Sequence, residues 1–295
     1  MEKFFKKKLF QEIKTLQGTS NVKDPIYQEE RIGELYKRME EDEFTNIPEL
    51  ENLLLDHKYG TSLSKLKETL KVKVSDLETT IEESLKNNLN EEEKEIIDFL
   101  KQLPYDYYFV GGCVRDACLG LRIKDFDIAT NASIDFILNE ASRKFEVDAR
   151  GKHFKVIVIR NGTSEIEVAE FRKDSQESDG RRPESVVGGT LEEDAMRRDF
   201  TVNAGFVNIK NLNLTDPTTQ FVDDILSGTL RFIGNAEDRI RNDYLRVFRF
   251  YRFIATKGLK ADKKSLSAVR RMMKEALCNI DSNRATNEIE RMIVL

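Results

Sequence analysis

The sequence is poor in the residue types that build several common kinds of site. It contains no tryptophan, two histidines, three cysteines and five prolines in 295 residues. The histidines, His57 and His153, are too few for a histidine-rich hydrolase centre. Cys113, Cys118 and Cys278 follow neither a zinc-ligand spacing nor a disulfide framework. We therefore expect a cytoplasmic protein, in a reducing compartment, whose chemistry uses other side chains.

Long hydrophobic runs are also missing. The run "KVIVI", about the longest near the middle, is far shorter than the roughly 20 residues that a membrane span needs. The N-terminal stretch "MEKFFKKKLFQEIKTL" interrupts its apolar residues with charges, unlike a secretion signal. We expect no membrane partner. A chain of this length predicts about two domains with a sizeable core.

The chain is not basic as a whole, since its net charge is −5, and this argues against simple coating of nucleic acid. A local excess exists between Arg231 and Lys257, where seven basic residues stand against three acidic ones. This segment predicts a local basic face.

Composition divides the chain into three parts. Residues 1–100, rich in Lys, Glu, Leu and Asn, predict a helical N-terminal extension of unknown role, exposed or packed on a partner. Residues 101–210 interleave β-rich runs with helices, which predicts a mixed α/β or α+β domain. Residues 211–295 predict helices. The expected strands are "YYFVGG", "FDIAT", "KVIVIR" and "SEIEVAEFR", and the expected helices lie near 113–120, 133–144 and 191–204. The polar stretch "RKDSQESDGRRPESVVGG" predicts a long loop.

Two aspartates stand one residue apart in "KDFDIAT". In a strand, Asp125 and Asp127 would point to the same side. Two carboxylates about 4 Å apart repel by roughly 4 kcal/mol at an effective dielectric constant of 20, and a divalent cation such as Mg²⁺ reverses that sign. A polar strand edge or a turn is the alternative interpretation.

The preceding "YYFVGGCVRDACLG" runs from an expected strand through two glycines into an expected helix. Gly111 and Gly112 would let backbone N–H groups approach a phosphate, and Arg115 would reach a triphosphate or brace the loop. A tight turn is the alternative. A two-metal site also needs a third carboxylate from a neighbouring strand, and Glu167 in "SEIEVAEFR" is our candidate. An exposed strand face is the alternative there.

The stretch "RRDFTVNAG" places polar side chains together. Asp199 and Asn203 would lie one turn apart on a helix that also carries Arg197 and Arg198. Arginine and asparagine side chains there would meet phosphate groups and sugar hydroxyls, and a surface pair is the alternative.

The segments "GGCVRDACLGLRIKDFDIAT", "RRDFTVNA", "DP…DDILSGTLRFIGN" and "RIRNDYLRVFRFYRFIA" occur in the order found in the class II tRNA nucleotidyltransferase/poly(A) polymerase family. The chain resembles the head and neck of that family over roughly residues 105–292. The resemblance implies a polymerase-β-like nucleotidyltransferase head with a mixed sheet, followed by a helical neck. It also implies addition of CMP and AMP to an RNA 3′ end without a nucleic-acid template.

The resemblance assigns roles to the residues already singled out. Asp125 and Asp127 would carry the catalytic metals, and Glu167 would be the third catalytic carboxylate. The nucleotide would be bound by residues in three segments: Gly111, Gly112 and Arg115; Arg197, Arg198, Asp199 and Asn203; Asp243 and Arg246. The segment "DGRRP" would lie in the loop that helps to switch from C to A addition.

Asp243 and Arg246 correspond to the base-reading residues of the family's "EDxxR" motif, written "NDYLR" here. On one helix they would be neighbours. The carboxylate would accept from the exocyclic amine of C or A and the guanidinium would donate to ring acceptors, whereas U and G present the opposite pattern. Asn242 departs from the family's Glu. A surface ion pair on an amphipathic helix is the alternative interpretation.

Two further departures concern RNA binding. The family's helical body and tail, which grip tRNA, have no counterpart after "NEIERMIVL", and residues 1–100 have no place in the family pattern. A second protein chain that supplies RNA-binding surface is one explanation.

The expected function is CCA addition to tRNA. The RNA 3′-hydroxyl would attack the α-phosphate of CTP or ATP at a two-metal site that holds Mg²⁺, with Mn²⁺ as the alternative. CC-only addition, A-only addition and poly(A) synthesis stay open within the family. A non-catalytic RNA- or partner-binding subunit and a nucleotidyltransferase for a small molecule or a protein are the other hypotheses.

Overall fold

The computed structural model describes residues 74–173 and 187–293. They form two compact units, the head unit (residues 74–173 and 187–234) and the neck unit (residues 235–293). The sequence predicts that the helical neck begins at residue 211. The three-part division into 1–100, 101–210 and 211–295 stays a prediction. The predictions for residues 1–73 and for "DGRRP" concern residues outside the described ranges.

The head unit contains a seven-stranded mixed sheet with the order β3-β4-β5-β2-β1-β8-β9. These strands are β1 (Tyr107–Val110), β2 (Asp127–Thr130), β3 (Glu146–Asp148), β4 (Val156–Asn161), β5 (Ser164–Glu170), β8 (Phe206–Asn208) and β9 (Leu214–Thr215). Three short strands complete the set: β6 (Arg172–Lys173), β7 (Val187–Gly188) and β10 (Thr229–Leu230). The helices are α1 (Val74–Asn88), α2 (Glu91–Gln102), α3 (Gly112–Cys118), α4 (Ile134–Ala141), α5 (Leu191–Met196) and α6 (Phe221–Ser227).

The four expected strands are confirmed as β1, β2, β4 and β5, and the expected helices near 113–120 and 133–144 are confirmed as α3 and α4. Strand β1 is antiparallel to β2 and to β8, whereas β2 is parallel to β5. The α+β class with a mixed sheet is therefore confirmed. At the two ends of the expected long loop, the short strands β6 and β7 pair in antiparallel fashion.

Helices α1 and α2 belong to the head unit, and their apolar faces are buried within it. Leu77, Ile81 and Leu85 of α1 are at most 1% exposed, because they repeat every four residues and so line one side of the helix. Helix α1 packs against α3, and Asn88 at its end accepts from the Ile123 backbone N–H at 3.3 Å. The helical prediction is confirmed for residues 74–88 and 91–102, and this part is packed on the chain's own head unit.

Helix α2 begins with a capping box: Asn90 accepts from the Glu93 backbone N–H, and the Glu93 side chain accepts from that of Asn90. Glu92 in its first turn accepts from the Thr163 backbone N–H at 3.0 Å and ties α2 to the β4–β5 turn. This connection holds the hairpin that contains Glu167.

The neck unit is helical, as expected. Its elements are α7 (Ala236–Asn242), α8 (Leu245–Lys257), β11 (Lys260–Ala261), α9 (Lys263–Asn279) and α10 (Ser282–Ile293). Helix α8 packs against α10, and α7 packs against α9. The side chains of Val247, Phe250 and Tyr251 in α8 are fully buried. Within the part of the chain described, the helices are all too short or too polar to cross a membrane.

Candidate active site

The centre of the candidate site is a pair of carboxylates on neighbouring strands. Asp127 is the first residue of β2, and the parallel register places it directly opposite Glu167 of β5. Adjacent strands lie about 4.8 Å apart, so side chains at opposite positions are close neighbours. The choice of Glu167 as the third carboxylate therefore has a geometric basis.

Asp125 precedes β2 and lies in exposed, irregular backbone. The expectation that Asp125 and Asp127 share one strand was wrong, because β2 begins only at Asp127. Asp125 still acts on Asp127 electrostatically. Burial raises the pKa of Asp127 to about 6, and repulsion from Glu167 and Asp125 acts in the same direction, while Arg198 and Arg115 oppose it. Negative charge is therefore crowded at this edge of the sheet.

Gly111 brings the backbone close to this charge. Its φ of +68° is one that glycine adopts without strain, and it caps the N-terminus of α3. A methyl group on Gly111 would lie 3.3 Å from Arg198 Nη1 and 3.9 Å from Asp127 Oδ2. A methyl group on Gly112 would lie 3.7 Å from Arg115 Nη2. The two glycines thus adjoin both arginines and the carboxylate.

Arg115 is 6% exposed and is held from two sides. Its Nε donates to Asp116 Oδ1 at 2.9 Å, and its Nη1 donates to Asn203 Oδ1 at 2.6 Å. Asn203 Nδ2 in turn donates to Asp199 Oδ1 at 2.9 Å. Arg115, Asn203 and Asp199, which the sequence analysis selected from two distant segments, therefore form one hydrogen-bonded chain. Asp116 was missed, although it directly follows Arg115.

Arg197 and Arg198 are positioned by Asp194, which the sequence analysis also missed. Asp194 is 1% exposed, and its carboxylate accepts from Arg197 Nε at 2.8 Å and from Arg198 Nη2 at 2.7 Å. Burial raises the pKa of Asp194, but the two guanidinium groups outweigh burial and hold the pKa below its ordinary value. The i, i+3 and i, i+4 spacing of one acid and two arginines was the available signal.

The expected helix over 191–204 was wrong in its second half. Helix α5 ends at Met196, and a separate 3₁₀ turn covers Thr201–Asn203. Asp199 and Asn203 therefore do not share a helix, although they are hydrogen-bonded. Between the two helical pieces Phe200 forms a β-bridge with Phe232, and this tertiary contact overrides the local helical pattern.

Asp243 and Arg246 lie in the neck unit. The expectation that both belong to one helix was wrong: α7 ends at Asn242, Asp243 is extended, and Arg246 lies in the first turn of α8. The Asp243 side chain explains the break, since its Oδ1 accepts from the Leu245 backbone N–H at 3.1 Å, which favours a helix start. Arg246 Nη1 donates to the Arg239 carbonyl at 2.9 Å.

The expected basic face between residues 231 and 257 is partly neutralised. Arg231 pairs with Asp224 at 2.9 Å within the head unit. In the neck unit, Arg241 pairs with Glu237 and Asp238 at 3.4 Å, and Arg252 pairs with Glu288. Much of this positive charge is therefore neutralised by ion pairs within each unit.

The donors that the head unit offers to a cation at this edge of the sheet are the carboxylates of Asp127 and Glu167. Among residues 74–173 and 187–293, no group of three or more His, Cys, Asp or Glu side chains lies close enough together to hold a metal ion. Burial raises the pKa of Asp127 to about 6, and repulsion from the carboxylates of Glu167 and Asp125 adds to that rise. Carboxylate oxygens are ligands that Mg²⁺ prefers, so a cation bound here would relieve this repulsion.

Comparison with known proteins gives a consistent picture. Residues 107–231 match the family model "Poly A polymerase head domain". The chain is 38% identical over 199 residues to the CCA-adding enzyme of Geobacillus stearothermophilus, covering 67% of this chain and 48% of that protein. It is 35% identical over 187 residues to poly(A) polymerase I of Haemophilus influenzae, covering 60% of this chain and 41% of that protein.

Solved structures agree with these relatives. The crystal structure of the Bacillus stearothermophilus CCA-adding enzyme in complex with CTP superposes with a TM-score of 0.58 at 33% identity. The match covers 68% of this chain and 47% of that one. The chain thus spans about half the length of the curated relatives it matches.

Proposed function

We propose that the chain is an RNA nucleotidyltransferase, because residues 107–231 match the family model "Poly A polymerase head domain". The observation that carries the proposal is the register that sets Asp127 beside Glu167, with Gly111 and Arg198 adjoining Asp127. The proposed reaction adds CMP and AMP from CTP and ATP to the 3′ end of an RNA, and tRNA is the proposed acceptor. Both types of relative, CCA-adding enzyme and poly(A) polymerase I, support the wider reaction class.

Asp125, Asp127 and Glu167 would hold Mg²⁺, with Mn²⁺ as the alternative, in a two-metal arrangement. Bound there, the cations would supply positive charge to phosphoryl oxygens and favour the deprotonated form of the RNA hydroxyl. The chain's own residues do the rest of the work. Arg115 and Arg198 offer guanidinium groups beside the glycines, where phosphate oxygens can approach the backbone closely. Asp116, Asn203 and Asp194 hold those guanidinium groups in place.

In the proposed reaction the RNA 3′-oxygen forms a bond to the α-phosphorus, and the bond from that phosphorus to the bridging oxygen breaks. Pyrophosphate leaves, and the hydroxyl proton passes to solvent. Little covalent work falls to the protein, since positioning and charge stabilisation dominate phosphoryl transfer. Asp243 and Arg246 are the proposed base-reading residues, and CCA addition is the proposed specific activity.

Incorporation of labelled nucleotides tests the proposal. We would incubate tRNA that lacks its CCA end with Mg²⁺ and with each nucleoside triphosphate separately and together. Ordered addition of C, C and A by the wild type, lost in Asp125→Ala/Asp127→Ala, is the expected result. The matched control is Asp223→Ala, which removes an exposed carboxylate in α6 of the same unit.

Other outcomes choose among the alternatives. A ladder of A on unrelated RNA would replace CCA addition by poly(A) synthesis, and addition of C alone or of A alone would identify those narrower activities. Metal-dependent binding of CTP without any turnover would overturn the enzyme proposal in favour of a non-catalytic RNA-binding subunit.

A further inference from the structure

The Asp243 carboxylate in the neck unit is held by two donors from two different elements. The Leu245 backbone N–H at the start of α8 donates to Oδ1 at 3.1 Å. Arg284 in the first turns of α10 donates through Nη2 to both oxygens, at 3.2 Å to Oδ1 and 3.1 Å to Oδ2. The backbone bond is local in sequence, whereas the bond from Arg284 spans 41 residues.

The two donors leave hydrogen-bonding capacity on the Asp243 carboxylate for a ligand. A carboxylate offers about four lone-pair positions, and Oδ2 accepts from Arg284 here. The side chains of Arg284 and Asp243 are 35% and 26% exposed, so a ligand can reach the pair. The exocyclic amine of a base is the kind of donor that would use the remaining capacity of Oδ2.

The position of Arg284 is fixed by helix packing. The Arg284 backbone N–H donates to Asp281 Oδ1 at 3.2 Å, at the start of α10. The buried ion pair between Arg252 and Glu288 joins α8 to α10, and α8 carries Arg246. Arg284 therefore reaches Asp243 from α10, and the ion pair connects α10 to α8. Helix α8 carries Arg246, the second proposed base-reading residue.

We propose that Arg284 is a positioning residue that fixes the Asp243 carboxylate for recognition of C and A. The proposal rests on the proposed function, since it assumes that Asp243 reads the base. Without Arg284 the carboxylate keeps one local hydrogen bond and gains rotational freedom, so a base with the wrong edge is rejected less strongly. Arg284 would contact Asp243 and not the sugar or the phosphates, so its loss should change nucleotide choice more than the maximal rate.

The test measures kcat and KM for all four nucleotides with Arg284→Met, which keeps the apolar stem and removes the guanidinium. We expect the preference for CTP over UTP, as a ratio of kcat/KM values, to fall about 10- to 100-fold, the size of one charge-assisted hydrogen bond. The kcat for CTP should change less than about threefold. Arg284→Lys keeps the charge but not the planar geometry, so its preference should be intermediate. If Arg284→Met fails to fold, the ratio of kcat/KM values for CTP and UTP measured with Arg284→Lys tests the proposal instead.

Arg291→Met is the matched control, because Arg291 lies in the same helix, is 68% exposed and stands 3.8 Å from Glu288. It should keep the wild-type preference. The double variant Asp243→Asn/Arg284→Met should discriminate no worse than Asp243→Asn alone, since the two residues act as one unit. Equilibrium binding of labelled CTP and UTP without RNA should show the same loss of preference.

Equal losses for all four nucleotides, or additive effects in the double variant, would overturn the role of Arg284 while leaving the proposed function intact. A wild type that incorporates no nucleotide and binds CTP and UTP equally would overturn the proposed function itself, together with this inference.

Discussion

At the scale of single residues, Gly111 and Gly234 allow the same substitution to be compared in two surroundings. Their φ values, +68° and +67°, are nearly the same. Gly111 also has a ψ of −122°, outside the left-handed helical region, so alanine there costs more backbone strain than the roughly 1–2 kcal/mol typical of that region. Their surroundings differ. A methyl group at Gly234 meets nothing within 4 Å, whereas one at Gly111 lies 3.3 Å from Arg198 Nη1. The loss of stability reports the backbone cost of each alanine, and a loss of activity in the folded Gly111 variant reports on the site.

We predict that Gly111→Ala lowers kcat/KM for nucleotide incorporation at least about 10-fold more than Gly234→Ala does, because it displaces Arg198 and blocks the close approach of phosphate. Thermal melting gives the backbone cost of each variant separately, and kcat/KM is measured at a temperature at which both variants are folded. Steady-state kinetics and thermal melting of both proteins make the comparison. Equal kinetic losses would show that the space beside Gly111 is not used by the substrate.

Asp194 gives a prediction about pH. Its pKa is lowered in the folded protein, so its ionised form stabilises the fold at pH values above the ordinary carboxyl range, and this stabilisation is lost as the pH falls through that range. Asp194→Asn leaves two arginines without their buried partner and should cost about 3 kcal/mol at pH 7. Urea unfolding should show the gap to wild type closing below about pH 4. The exposed Asp223→Asn should show little change at either pH, and a gap independent of pH would contradict the argument.

Residue types and spacing were enough to select Asp127, Glu167, Arg115 and Arg198 as site residues. They were not enough to find Asp116 or Asp194, since these acids were hidden among many others in a chain with 53 Asp and Glu residues. What sets them apart is burial beside arginines, at 7% and 1% exposure. Burial of a charge depends on the tertiary fold and leaves only a weak trace in local sequence.

At the scale of elements, α1 shows how a helix with an ordinary composition becomes part of the head unit. Its sequence is mostly polar, which is why an exposed extension was a reasonable expectation. The four-residue repeat of Leu77, Ile81 and Leu85 nevertheless forms one apolar stripe, and α3 lies against it. Because α3 carries Arg115, the packing of α1 supports the position of a proposed phosphate-binding residue.

We predict that Ile81→Ala destabilises the head unit by about 2–5 kcal/mol, since it removes a fully buried side chain from this contact. Glu83→Ala, an exposed position in the same helix, is the control and should change stability by less than about 0.5 kcal/mol. Denaturant unfolding of the two variants measures the difference. Equal stabilities would mean that α1 contributes nothing to the head unit.

Helix boundaries were the least predictable feature of the elements. The strands β1, β2, β4 and β5 follow from short apolar runs, and the structure confirms them. The breaks after Met196 and Asn242 do not follow from periodicity. One break depends on the bridge between Phe200 and Phe232, a long-range contact, and the other on the Asp243 side chain, which competes for a backbone N–H.

At the scale of the whole molecule, the proposed tasks fall on different units. The carboxylates, the glycines and the arginines of the proposed phosphate site belong to the head unit, whereas Asp243, Arg246 and Arg284 belong to the neck unit. Under the proposed function, the first group would act on the triphosphate, which all nucleotides share. The second would act on the base, which differs between them. This division would separate the rate of the reaction from the choice of nucleotide.

This separation predicts two different kinetic signatures. Gly111→Ala in the head unit should lower kcat/KM for CTP, ATP, UTP and GTP by about the same factor, because the triphosphate is common to them. Asp243→Asn in the neck unit should lower kcat/KM for CTP and ATP about 10- to 100-fold and leave UTP and GTP almost unchanged, because a lost charged hydrogen bond to the base is worth that much. Competition assays with mixed nucleotides on one RNA acceptor measure both ratios. A head variant that alters the preference among bases, or an Asp243 variant that lowers all four rates equally, would show that the two units do not divide the work in this way.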